Sequence, residues 1–244
     1  ADKHGFAWAP PLDAPSDAGM TLSSKLSHAS IDQPQRVILQ IGLKGSERYG
    51  WRRPALNLMI SVDPRLLAGQ RDLEVRQTKL VEMLKPIIRK LNVADQVGLT
   101  MGSYVISPKN PEQFKEALLK PLKQIGQEQL SSSQWRQSME EAGARLNQAS
   151  ADPHRTPGAQ AIIMLCGTGC VAHVNTISQM AHTLNIDGTL TSVIDHSGQA
   201  KTYAQTSRLW QIAASGHGGF WITKGPQGLH KAIDDEFNRF SRVV

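Results

Sequence analysis

Cys166-Gly167-Thr168-Gly169-Cys170 places two thiols three residues apart, and His173 follows after another two residues. Several chemistries use such a run. Glycines permit a tight ring, so Cys166 and Cys170 either close a local disulfide in an oxidising compartment or stay as free thiols. With His173 they also make three zinc-type ligands, but a structural zinc site takes four and no fourth lies nearby. A nucleophilic Cys166 needs a base such as His173 or His196, and no family-specific catalytic signature surrounds it. Gly167-x-Gly169-x-x-Ala172 is a short form of the dinucleotide fingerprint. It would seat a pyrophosphate at a helix N-terminus and leave Asp195 for the ribose. Of the other histidines, His196 and His217 read as loop residues beyond strand ends and His182 as helix surface.

The elements that position these residues follow from periodicity. "RVILQIGL" and "ALNLMISVD" are strands. In the second, Leu56, Leu58, Ile60 and Val62 share one face, with Asn57, Met59 and Ser61 on the other. Such a run ending in Asp63 suits a central strand whose C-terminal end opens to solvent. Residues 72–91 carry Leu73, Leu80, Leu84, Ile87, Ile88 and Leu91 at helical spacing, with Pro86 inside as a kink or a lost hydrogen bond. "QVGLTMGSYVI" reads as one strand, and helices are expected over 111–124 and 134–149. The second half then alternates: strand "AQAIIMLC", helix 173–185, strand "TLTSVID", helix 204–214, strand "GGFWIT" and helix 226–242.

Strand–helix alternation with short connections predicts an α/β fold, a doubly wound and mainly parallel sheet flanked by helices. Ligands of such folds bind beyond the carboxyl ends of the strands, so the residues to watch follow Asp63, Cys166 and Asp195. Residues 1–34, with "GFAWAPPLDAPSDAG", read as an extended arm, and 35–244 as the domain.

Composition narrows the function classes. At 244 residues and 40% hydrophobic, the chain has apolar material for one core. It holds no run of roughly 20 apolar residues, the length needed to span a bilayer. The net charge of +6 permits an anionic partner, but the basic residues are scattered along helices that also carry Glu. Aromatics at 5% give no stacking platform, so nucleic acid is not expected as a partner. The first residues lack a charged and apolar leader, as a chain left after secretory cleavage would.

"RVILQIGLKG", "RPALNLMISVD", "VADQVGLTMGS", "AQAIIMLCG" and "RLWQIAASGHGGFWITKGPQGLHKAIDDEF", in that order, resemble the von Willebrand factor type A (vWA) family, in its bacterial secreted or membrane-tethered form. The resemblance covers roughly residues 35–242 and rests on the order of several weak motifs. It implies a metal-ion-dependent adhesion site, in which an Asp-x-Ser-x-Ser loop, a Thr and a second Asp hold Mg²⁺. Asp63 matches the first Asp. Arg65 and Leu67 stand where the two serines belong, Ser131 or Ser132 where the Thr belongs, and Cys166, before Gly167, where the second Asp belongs.

A guanidinium about 4 Å from a divalent ion repels it by about 8 kcal/mol at an effective dielectric near 20. Arg65 therefore either pairs with Asp63 as a built-in cation or points to solvent, and neither arrangement keeps the metal. The resemblance implies a non-catalytic protein–protein interaction module, without cofactor, in a periplasmic or extracellular accessory role. Its contact rim would comprise Asp63, Arg65, Leu67, Ser131, Ser132, Cys166, Gly167 and Thr168, with Arg65 meeting an acidic group of a partner protein. The alternatives are a Mg²⁺-dependent adhesion module and, further off, a dinucleotide-binding protein.

Overall fold

Met20–Leu26 (β1) and Leu39–Gly45 (β2) pair antiparallel as a two-stranded sheet, Met20 opposite Gly45 and Leu26 opposite Leu39. The computed structural model describes residues 20–26, 39–45, 55–69, 72–120, 130–151, 158–197 and 203–240. The chain divides into two compact units, Ala1–Arg53 with Phe240–Val244, and Pro54–Arg239. The strand read from "RVILQIGL" lies in the smaller unit. The Ser- and Thr-rich β1 gives a weak strand signal, yet it supplies β2 with a pairing partner.

The larger unit is a six-stranded sheet in the order β5-β4-β3-β6-β7-β8. Its strands are Leu56–Val62 (β3), Gln96–Met101 (β4), Tyr104–Lys109 (β5), Ala159–Cys166 (β6), Thr189–Asp195 (β7) and His217–Ile222 (β8). All neighbours are parallel except β4 and β5. The single strand expected at 96–106 is thus a hairpin. Gly102, at φ 61, turns the chain, which a side chain would resist. Pro108 is tolerated in β5 because that strand lies at the sheet edge.

A 3₁₀ turn at Pro64–Leu67 and seven α-helices complete the described residues: Leu73–Lys90 (α1), Pro111–Leu119 (α2), Ser132–Ser150 (α3), Thr168–Ala172 (α4), Val174–Ile186 (α5), Tyr203–Ser215 (α6) and Gly225–Phe240 (α7). Asp72 caps α1, which runs on through a buried Pro86. α2 stops at Leu119, short of the expected 124, since Pro121 disfavours helical backbone at the residue before it. α3 begins earlier than expected, at a capping box between Ser131 and Gln134.

Every side chain of β3 is buried, Asn57 and Ser61 included, as a central strand covered on both faces requires. Met59, Ile162, Met164 and Val193 form one cluster with Trp135, Met139, Ile177 and Ile212, so α3, α5 and α6 cover that face. α7 lies on the other side, where Glu236, wholly buried, accepts from Ser192 Oγ of β7 at 2.5 Å. Arg239 grips the same carboxylate twice, from Nε at 3.0 Å and Nη2 at 2.8 Å. Gly219 N donates to Ser192 Oγ at 3.1 Å, which ties in β8 beside the register shift between Thr191 and Val193.

Candidate functional site

Parallel β3 and β6 end side by side, with Val62 opposite Leu165, and the chain after each turns toward the other. Asp63 N donates to Leu165 O, which extends the ladder and places the Asp63 carboxylate under the loop after β6. Both oxygens are occupied. Oδ1 accepts from Arg65 N at 3.0 Å, and Oδ2 accepts from Gly167 N, Gly169 N and Cys170 N at 3.1, 2.9 and 3.2 Å. The side chain has 0% exposure. The amides of Gly167, Gly169 and Cys170 at the start of α4 thus form an anion nest, and its anion is the protein's own carboxylate. Burial pushes the Asp63 carboxyl above its ordinary 3.8, and the four amides work against that rise.

This geometry decides between several sequence readings. The amides that a pyrophosphate would need are given to Asp63, so Gly167-x-Gly169-x-x-Ala172 is not a dinucleotide cradle here. Gly169 has a different reason to be glycine: a Cβ there would sit 2.7 Å from one Asp63 oxygen and 2.8 Å from the other. Arg65 meets Asp63 through its backbone only, and its side chain is exposed. Of the two dispositions open to that guanidinium, the solvent-facing one holds.

Cys166 and Cys170 are joined as a disulfide, Cα to Cα 5.6 Å, with both residues at 0% exposure. The bridge closes the loop whose amides hold Asp63. It also leaves Cys166 no thiolate for nucleophilic chemistry, and leaves neither cysteine as a zinc ligand. Among the described residues no three of His, Cys, Asp and Glu come together as metal ligands.

Three loops converge at this edge. Ser132, at the start of α3, bonds His173 Nδ1 at 2.9 Å, which joins the 131–133 loop to the end of α4. Arg65, Ser131, Ser132 and Thr168 face solvent, whereas Asp63, Leu67, Cys166 and Gly167 are buried behind them. Of the residues expected to form a contact rim, only Arg65, Ser131, Ser132 and Thr168 are therefore exposed. Sequence reasoning passed over the Ser132–His173 bond, since nothing in the order of residues brings positions 41 apart together.

Farther along the same edge, Asp195 Oδ1 accepts from Ser197 N and Oγ, at 3.0 and 2.7 Å. His196 Nδ1 lies 2.8 Å from Thr223 Oγ1, and that hydroxyl donates to Asp195 O. Burial first, and then the Lys79 ammonium, pull His196 below 6.5 against the Asp195 carboxylate. The unfolded chain then binds this proton before the folded one does. Stability is full above 6.5 and falls as pH drops through the lowered value, by at most about 1.4 kcal/mol per pH unit. Thermal unfolding at about pH 7.5 and 5 should show the wild type losing stability relative to His196→Asn. A constant difference would remove His196 as the cause.

No family model matches the chain, and no curated protein does. Solved structures do match. A von Willebrand factor type A protein from Catenulispora acidiphila aligns over 82% of this chain and 45% of its own, with a TM-score of 0.51 at 14% identity. This chain has the fold of a vWA domain. The conserved hypothetical protein BatB from Bacteroides thetaiotaomicron matches the vWA-like domain at a TM-score of 0.51 and 16% identity, over 77% of this chain and 100% of that one. The pilus adhesin SpaC from Lactobacillus rhamnosus GG matches at 0.52 and 11% identity, over 94% of this chain and 35% of that one. No helix among the described residues is long and apolar enough to cross a membrane.

Proposed function

We propose that this vWA-like domain is a non-catalytic protein–protein interaction module, an accessory or assembly component of a bacterial extracytoplasmic complex. It engages its partner through the loops at the C-terminal edge of the sheet, without a metal ion. One observation carries this reading. The Asp63 carboxylate, which the sequence resemblance matches to the first Asp of the vWA metal loop, is buried, and backbone amides occupy both its oxygens. A cation bound there would have to displace them. Arg65, Ser131, Ser132 and Thr168 are the exposed residues of the proposed rim. Such a surface suits an acidic group on a partner, with the Arg65 guanidinium supplying the cation. An oxidising compartment agrees with the Cys166–Cys170 bridge. Similarity in fold to a pilus adhesin agrees with a role at the cell envelope.

The test begins with the full chain as bait in extract of the native organism, with and without EDTA. The captured partner is then measured against Arg65→Glu. Retention in EDTA is expected, together with a loss of about 2 kcal/mol or more in that variant, roughly thirty-fold in affinity. Thermal unfolding of the variant should match the wild type because Arg65 is exposed. Unchanged affinity in Arg65→Glu would exclude the rim contact. A rise in melting temperature with Mg²⁺ or Mn²⁺ alone would replace the metal-free reading by the metal-dependent one.

A further inference from the structure

On the helical face away from the rim, α1 and α2 part to leave a trough of about 360 Å³. Gln77 of α1 ties the two helices together, its Nε2 donating to Leu118 O at 2.8 Å and Lys120 O at 2.9 Å. The floor is apolar, made by Val81 and Ile88 of α1 with Leu118 and Leu119 of α2. Leu119 is 69% exposed, a large apolar side chain held in solvent at the lip.

The rim is basic. Lys85 and Arg89 stand on the α1 wall and Lys115 on the α2 wall, against a single acid of the lining, Glu82. Glu82 lies 3.3 Å from Lys85, and Lys115 lies 2.6 Å from Glu112. Pairs between side chains this exposed are worth about 1 kcal/mol or less, so a partner's acids can replace them. Arg89 has no ion pair among the described residues.

We infer that this trough docks an acidic, amphipathic helical segment of a partner protein. Apolar side chains of the segment enter between α1 and α2, while Asp or Glu on its flanks meet Lys85, Arg89 and Lys115. Placement of the cations selects this occupant. Lys85 and Arg89 are one turn apart, about 6 Å along the axis, and Lys115 lies across the trough. Three separated cations match acids spaced along a helix, whereas the one carboxylate of a fatty acid would meet only one of them. A hydrophobic groove between helices is a recurring seat for such segments. The inference is independent of the rim contact, since it uses other residues.

A displayed random peptide library selected on the full chain tests it, with counter-selection on Leu119→Glu and Arg89→Glu. Enriched peptides should carry apolar residues at helical spacing flanked by Asp or Glu. They should bind Arg89→Glu roughly ten-fold more weakly than wild type, and weaken further as salt rises. Lys115→Glu, on the facing helix, should repeat that loss. Thermal unfolding of each variant should stay at the wild-type value, since all three side chains are exposed. Peptides lacking acids, or binding the variants as well as the wild type, would overturn the inference, as would no variant-sensitive enrichment. Dodecanoate is titrated separately. Binding of dodecanoate that Arg89→Glu abolishes, with no peptide enriched, would assign the trough to an anionic amphiphile and end the protein-partner reading.

Discussion

Asp63→Ala is expected to lower the stability of the Pro54–Arg239 unit by about 4 kcal/mol at pH 7. The substitution leaves Gly167 N, Gly169 N and Cys170 N buried without their acceptor, at about 1–3 kcal/mol for each unsatisfied group, not fully additive. It also frees the loop closed by Cys166 and Cys170 from its anchor on β3. Asp63→Asn should lose less, because its carboxamide keeps one oxygen for these donors while turning an NH₂ toward the other. Burial raises the Asp63 carboxyl above 3.8, so folding favours the protonated form relative to the unfolded chain. The stability from that proton is fully present below 3.8 and is lost as pH rises through the folded value. The gap between wild type and Asp63→Ala should therefore widen on acidification. Urea unfolding of both proteins at several pH values reads it directly. A loss below about 1 kcal/mol would mean that the nest is ornamental to the fold, and a gap that closes in acid would mean that the amides outweigh burial.

Glu236→Ala should cost about 3 kcal/mol or more, the range found when one partner of a buried charge pair is removed. Glu236 has no exposure and Arg239 retains 25%, so most of the loss lies in the desolvated contact with Ser192 and Arg239. Glu236→Gln keeps the shape and a hydrogen bond for Ser192 Oγ, and its loss should be smaller. A double-mutant cycle with Ser192→Ala separates the hydroxyl contact from the ion pair, since residues in contact couple measurably. Chemical denaturation with a change under about 1 kcal/mol would show that relaxation rescues the pair. The sequence carries a signal for this network. Glu236 falls on the stripe of Leu229, Ile233 and Phe240, where an acid must be buried with a partner or force the helix to turn.

Much of the larger unit was legible without coordinates. The apolar runs at 56–62, 159–166 and 189–195 are β3, β6 and β7, and the strand–helix rhythm implied their parallel pairing. Hydrophobic period is a local property, so it survives being read one segment at a time. Where two local signals ran together the reading failed. The apolar runs on either side of Gly102 merged into one strand, though they form the β4–β5 hairpin. Residues 20–26 read as arm because their strand character rests on pairing with β2.

The sequence by itself determined that Asp63 ends a central strand and that Gly167 and Gly169 open a helix. It also determined that an Arg and a Leu stand two and four residues after that Asp. Only the tertiary structure decided what those residues do together. The bonds that define the site join Asp63 to amides 104, 106 and 107 residues away. Burial turns the carboxylate inward, and exposure turns the Arg65 guanidinium outward. Orientation and donor supply are properties of how β3 and β6 end against each other, and neither segment carries that information alone.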